Sequence, residues 1–241
     1  MIIRTPGYRP APNPAKEIWK ALTPAMLLPF IAAVFYFNIF DGSPLAKHIY
    51  GASKIFVLLW PIIAMKFIIK RPFDIPVMLR FDAKNAALGL AWGLLIFGGA
   101  VALWCYPPFA QAAKANAGLV QGKAANFGVT QYYLAYSIFI SFFHSLLEEY
   151  YWRWFVCGRL LKVVKQNTAV IVSAIAFALH HFIICNFYFP LTWALFLTFW
   201  VAVGGVIFNL LYKKGNTLIS PWLAHMGADL AIMYVGYKLI F

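Results

Sequence analysis

Ser141-Phe-Phe-His-Ser-Leu-Leu-Glu-Glu-Tyr-Tyr-Trp-Arg153 lies inside an apolar run with helical periodicity and carries Glu148 and Glu149, two of the three glutamates in the chain. An ionised carboxylate in the middle of a bilayer costs about 2.5–3.5 kcal/mol on insertion scales. A chain that keeps two such groups is expected to use at least one of them. The rest of the sequence then reads as scaffolding for the pair.

The composition points to lipid as the main solvent. The 241 residues are 63% hydrophobic and 11% charged, with mean hydropathy +0.75, which leaves too little polar surface for a water-soluble globule of this size. A net charge of +13 raises the question of nucleic acid, but Lys and Arg fall in short clusters between apolar runs. That is the pattern of cytoplasmic loops beside anionic lipid, so no nucleic-acid partner is expected. Cys105, Cys157 and Cys185 lie in or beside apolar segments with no metal-type spacing and read as buried thiols.

Taken in order, residues 1–20 read as a basic, Pro-containing cytoplasmic tail, residues 21–130 as N-terminal membrane helices and loops, and residues 131–241 as the helices that carry the chemistry. Spans are expected over about 21–40, 52–69, 85–106, 131–164, 168–185, 191–212 and 217–241. Residues 107–130, rich in Ala, Gly and Asn, read as an external loop with a short surface helix, and the Gly89…Gly93 spacing and the Gly98-Gly99 pair as places that allow close helix packing. The basic clusters alternate with connections poor in positive charge. The fold class is therefore an all-α, polytopic transmembrane bundle of about seven spans with the N-terminus in the cytoplasm, expected in the inner (plasma) membrane.

Helix arithmetic places the polar residues at one level. At 1.5 Å per residue, Glu148 and His181 lie ~23–26 Å from the turn that joins their helices, and His225 and Asp229 ~17–23 Å into the last span. Adjacent helical residues point about 100° apart, so Glu148 and Glu149 cannot both face one site squarely. Arg153 follows Glu149 by four residues, which predicts a Glu149–Arg153 ion pair and leaves Glu148 facing a cavity. His225 and Asp229 share a face by the same spacing, so Asp229 is placed to orient His225.

Three motifs stand in order: Glu148-Glu149-Tyr-Tyr-Trp-Arg153, Phe177-Ala-Leu-His-His181 and His225-Met-Gly-Ala-Asp229. They match Glu-Glu-x-x-x-Arg, Phe-x-x-x-His and His-x-x-x-Asn/Asp, and over about the last 110 residues the chain resembles the CAAX-protease and bacteriocin-processing family of glutamic-type intramembrane endopeptidases. The resemblance implies that Glu148 with His181 activates a water for attack on a peptide carbonyl, and that His225 with residue 229 stabilises the oxyanion. Glu149 and Arg153 are supporting residues. An ionised Asp229 would repel an oxyanion, so it is either protonated or acts through His225. The implied partners are the lipid bilayer and a membrane-associated peptide or protein substrate, lipidated or cut near its C-terminus.

Several readings stay open. No cofactor is expected, but Glu148, His181 and His225 also make a two-histidine, one-carboxylate set for zinc. The buried ions would equally suit a non-catalytic transporter or scaffold. His180 is expected to face away from the site, and His144 either to lie beside it or to fill the bundle. Tyr150, Tyr151 and Trp152 read as packing or interfacial anchors, and Asn209 as the maker of an interhelical hydrogen bond.

Overall fold

A computed structural model describes residues 13–73 and 79–241, and all its regular structure is helical. In chain order the helices are α1 (Pro14–Ile39), α2 (Pro44–Ile69), α3 (Ala83–Trp104), α4 (Pro107–Ala115), α5 (Ala117–Asn126), α6 (133–160), α7 (Gln166–Tyr188), α8 (Leu191–Gly215) and α9 (Ile219–Ile240). Their starts follow local rules. The side chains of Asn13, Ser43 and Asp82 accept from the backbone N–H groups of Lys16, Leu45 and Asn85, and Pro14 and Pro44 occupy first-turn positions that need no donor. α2 ends at Lys70 and α8 at Asn216, both in the left-handed conformation (φ 55° and 49°).

The helices are longer than hydropathy alone suggests. α1 begins at Pro14 and not near Ala21, because its capped start carries the charged Lys16, Glu17 and Lys20 within its first two turns, and α2 begins at Pro44, eight residues before Ala52. The basic residues Arg4 and Arg9 of the expected tail, and positions 74–78 of the loop after the second span, lie outside the described residues. The region read as a loop with one surface helix holds two, α4 and α5. Cys105 was expected to be buried but is exposed, since it follows the last residue of α3 where the chain turns towards α4; Cys157 is buried and Cys185 half-buried.

Five helices, α1, α2, α3, α7 and α8, are long and apolar enough to cross a membrane. Their outward faces carry exposed apolar side chains such as Leu94, Leu95 and Phe199, as lipid contact requires. Of the four described helices outside that group, α4 and α5 are short, while α6 and α9 carry charged residues of the motifs. Contacts fix helix directions. Lys54, Leu58 and Met65 of α2 meet His144, Tyr150 and Arg159 of α6 in the same order, so these two helices run parallel. α7 and α8 run antiparallel, with Asn209 Nδ2 donating to Val170 O (2.9 Å) and Ser173 Oγ (2.8 Å) and Gly205 against Ala174.

The closest packing is between α3 and α9, which also run parallel. A Cβ at Gly89 would strike the backbone of Ser220, and one at Gly93 would lie 2.7 Å from Leu223 O. A Cβ at Gly227 would strike the backbone of Gly93. The Gly89…Gly93 spacing thus seats α9, the helix of His225 and Asp229, by backbone contact. Gly98 and Gly99, by contrast, have nothing within 4 Å where a side chain would stand.

This contrast gives a stability prediction. Gly227→Val should destabilise the fold by about 1–3 kcal/mol or more through overpacking, whereas Gly98→Ala should be neutral or slightly stabilising. Thermal unfolding in detergent, followed by tryptophan fluorescence, distinguishes the two.

Candidate active site

The site is built on α6, which is not a uniform α-helix. A short α-helical piece, Ser145–Glu149, is flanked by wider π-helical turns at Ile140–His144 and Tyr150–Cys157. Such turns recur at functional sites because they change which residues share a face. The Phe142 carbonyl, within the first π turn, accepts from Trp222 Nε1 at 2.9 Å and ties α6 to α9 beside the site. Tyr151, fully buried, donates to Ala25 O at 2.8 Å and fixes α6 to α1.

Glu149 is completely enclosed. Its Oε2 lies 3.1 Å from Arg153 Nε, the pairing expected from the four-residue spacing. Arg153 is 1% exposed, and its guanidinium lies over Phe177 of α7 (4.4 Å) and Phe208 of α8 (5.1 Å). The other carboxylate oxygen, Oε1, accepts from His225 Nδ1 at 2.7 Å. This second bond corrects the reading in which Asp229 orients His225. Asp229 Oδ1 stands 3.6 Å from His225 Nε2, beyond hydrogen-bond range, and the opposite ring nitrogen is held by Glu149. Shared helical face brings Asp229 near, but packing of α9 on α6 decides which acid makes the bond.

Glu148 is buried among imidazoles. Its Oε1 lies 3.3 Å from His144 Nε2 and 3.9 Å from His180 Nε2, and its Oε2 lies 3.9 Å from His225 Nε2. Adjacent residues on a helix diverge by about 100°, yet Glu148 and Glu149 both address His225. The ring stands between them and turns one nitrogen towards each carboxylate. Four buried polar atoms here, Glu148 Oε2, Asp229 Oδ2, His144 Nδ1 and His180 Nδ1, have no hydrogen-bond partner among the described residues. Buried polar atoms are normally satisfied, so this cluster is chemically suited to a water or another polar group.

The histidines are distributed differently from the sequence reading. His181 Nδ1 donates to Phe177 O at 3.0 Å, which leaves Nε2 as an acceptor, and the side chain is half-buried. His180, expected to face away, is buried, stacks on Trp152 (centroids 5.5 Å, planes 4° apart) and points Nε2 at Glu148. His144 lies beside the site. The groups with the separations closest to a metal site are Glu148, His180 and His181, with one ligand atom from each within 4.8 Å of the others, so His180 takes the place given to His225 in the expected zinc set.

Lys54 of α2 escaped the sequence reading altogether. Its Nζ lies 2.7 Å from His144 Nε2. A lysine this close to the start of an apolar run reads as the border of a span, but α2 begins ten residues earlier and carries it inward. The available signal was a cation inside a helix with no acid at the three- or four-residue spacing. A separate apolar recess lined by Leu103, Tyr106, Thr192, Trp193 and Phe196 contains none of the site residues.

Residues 130–231 match the family model described as type II CAAX prenyl endopeptidase Rce1-like, a stretch that holds all three motifs. No curated protein and no solved structure matches the chain.

The burial of Glu149 dictates how it responds to loss of its partner. Arg153→Met should cost about 3–5 kcal/mol because it leaves a buried carboxylate uncompensated. The double variant Arg153→Met/Glu149→Gln should recover part of that loss, as denaturation midpoints of the three proteins would reveal.

Proposed function

From the type II CAAX endopeptidase likeness of residues 130–231, a family of membrane proteases, we propose that this integral membrane protein hydrolyses a peptide bond near the lipid-bearing C-terminus of a membrane-associated substrate, with Glu148 as general base. The observation that carries the reading is the environment of Glu148. It is buried, its Oε2 is unpaired, and it stands 3.9 Å from an imidazole whose far nitrogen is already held by Glu149.

The chemistry follows from proton placement. His181, with its Nδ1 proton given to Phe177 O, has Nε2 as an acceptor, and one of its ring nitrogens lies within 4.8 Å of a Glu148 oxygen. Two groups that share one tetrahedral water are about 4.6 Å apart, so Glu148 and His181 suit a single bridging nucleophile. Glu148 takes the proton as the water oxygen attacks the carbonyl carbon, and later returns it to the leaving amine. His225 donates through Nδ1 to Glu149, and a second proton on Nε2 would meet the oxyanion, with Glu149 as the counter-charge that the imidazolium needs. Glu149 is thus the orienting acid and Arg153 its fixed partner. Asp229, with Oδ1 3.6 Å from the same Nε2, lines the oxyanion side without holding the ring.

A second reading rests on the grouping of Glu148, His180 and His181. Tetrahedral zinc requires ligand atoms about 3.3 Å apart, whereas His180 Nε2 and Glu148 Oε1 are separated by 3.9 Å. The set would have to close by a few tenths of an ångström to hold the ion, and the mechanism above uses no metal.

Two measurements decide between these. With a farnesylated CAAX peptide in bilayer vesicles, Glu148→Gln should lower kcat by about 10²–10⁴-fold with the fold intact, and Glu149→Gln should lower it less, since an amide oxygen still accepts from His225. Undiminished cleavage by Glu148→Gln would end the proposal. Activity should also survive strong chelators; loss on chelation with recovery on added zinc would favour the metal reading.

A further inference from the structure

Lys54 lies outside residues 130–231, and its role does not follow from the family likeness. Its Nζ stands 2.7 Å from His144 Nε2 and 5.3 Å from the ring centroid of Tyr50. The same Nε2 lies 3.3 Å from Glu148 Oε1, and the other ring nitrogen of His144, Nδ1, lies 3.7 Å from Asp229 Oδ2. His144 therefore sits at a junction between one cation and two carboxylates.

We propose that Lys54 is a positioning residue of the site: it holds His144 in the tautomer protonated at Nδ1 and so keeps Glu148 free to accept a proton from water. The proposal rests on the reading of Glu148 as the base. An ammonium has three donors and no acceptor, so the short contact makes His144 Nε2 the acceptor. The ring proton then resides on Nδ1, on the side of Asp229. In that tautomer His144 has nothing to donate to Glu148, although the two atoms are only 3.3 Å apart. Without Lys54, the opposite tautomer would donate from Nε2 to Glu148 Oε1 and occupy the lone pairs that the reaction needs.

Charge supports the same assignment. Glu148, Glu149 and Asp229 bring three carboxylates into one buried cluster, and Arg153 is committed to Glu149. Lys54 is the cation on the Glu148 and Asp229 side, supplied by a helix ninety residues away in sequence from His144. Carboxylates gathered in a low-dielectric interior are costly without such a counter-charge.

The test uses the full chain in vesicles with the farnesylated CAAX peptide. Lys54→Met should lower kcat about tenfold or more, the scale of one charge-assisted hydrogen bond, with KM little changed. Lys54→Arg should restore much of the rate. Lys54→Met/His144→Phe should exceed Lys54→Met, because the ring that captures Glu148 is gone. A purely structural lysine would give no such recovery, and a double variant no faster than the single one overturns the proposal, as does wild-type kcat in Lys54→Met. An independent readout is ¹⁵N NMR of histidine-labelled protein, with His144 assigned by its loss in His144→Phe. Its signals should change from the Nδ1-protonated to the Nε2-protonated pattern in Lys54→Met. An unchanged pattern sinks the role of Lys54 whatever the activity, whereas a wild-type protein that cleaves no peptide would sink only the endopeptidase reading.

Discussion

Glu149 is the point on which the site depends. A fully enclosed carboxylate must be compensated on every side, and this one is met by Arg153 on its own helix and by His225 on α9. Arg153 is in turn held between Phe177 of α7 and Phe208 of α8. One acid therefore joins four helices, and it does so by ion pairing, a directional hydrogen bond and ring contacts. The adjacent Glu148 is placed by the same arrangement but its Oε2 has no hydrogen-bond partner among the described residues.

Backbone geometry supports this division of labour. The π turns on either side of Ser145–Glu149 alter the facing of the residues around the acid pair. The glycine seam between α3 and α9 sets how near the last helix can come, and so how far His225 reaches into the cluster. Hydrogen bonds from Trp222 to Phe142 O and from Tyr151 to Ala25 O tie α6 to its neighbours at carbonyl groups. The polar side chains are thus held by a scaffold that is apolar outside and keeps its charges within, the arrangement that hydrocarbon surroundings demand.

Hydrogen bonding gives the histidines distinct surroundings. In His181 and His225 the Nδ1 proton is given to a fixed acceptor, Phe177 O and Glu149 respectively, which leaves Nε2 as the ring atom not held by that bond. This is the logic by which a second hydrogen bond selects an imidazole tautomer. Lys54 extends it to His144 from a part of the chain that the family motifs do not reach.

The sequence by itself determined the helical membrane class, the family likeness and the Glu149–Arg153 pair, because composition selects the solvent and a four-residue spacing fixes neighbours on one helix turn. It also brought Glu148, His181 and His225 to a common level through the constant rise of a helix. Only the tertiary structure decided that Glu149 rather than Asp229 holds His225, that His180 turns towards Glu148, and that Lys54 reaches His144. Those contacts depend on the rotation and crossing of helices relative to one another. That rotation is set by π turns, glycine seams and ring packing spread over distant segments, so no local periodicity encodes it.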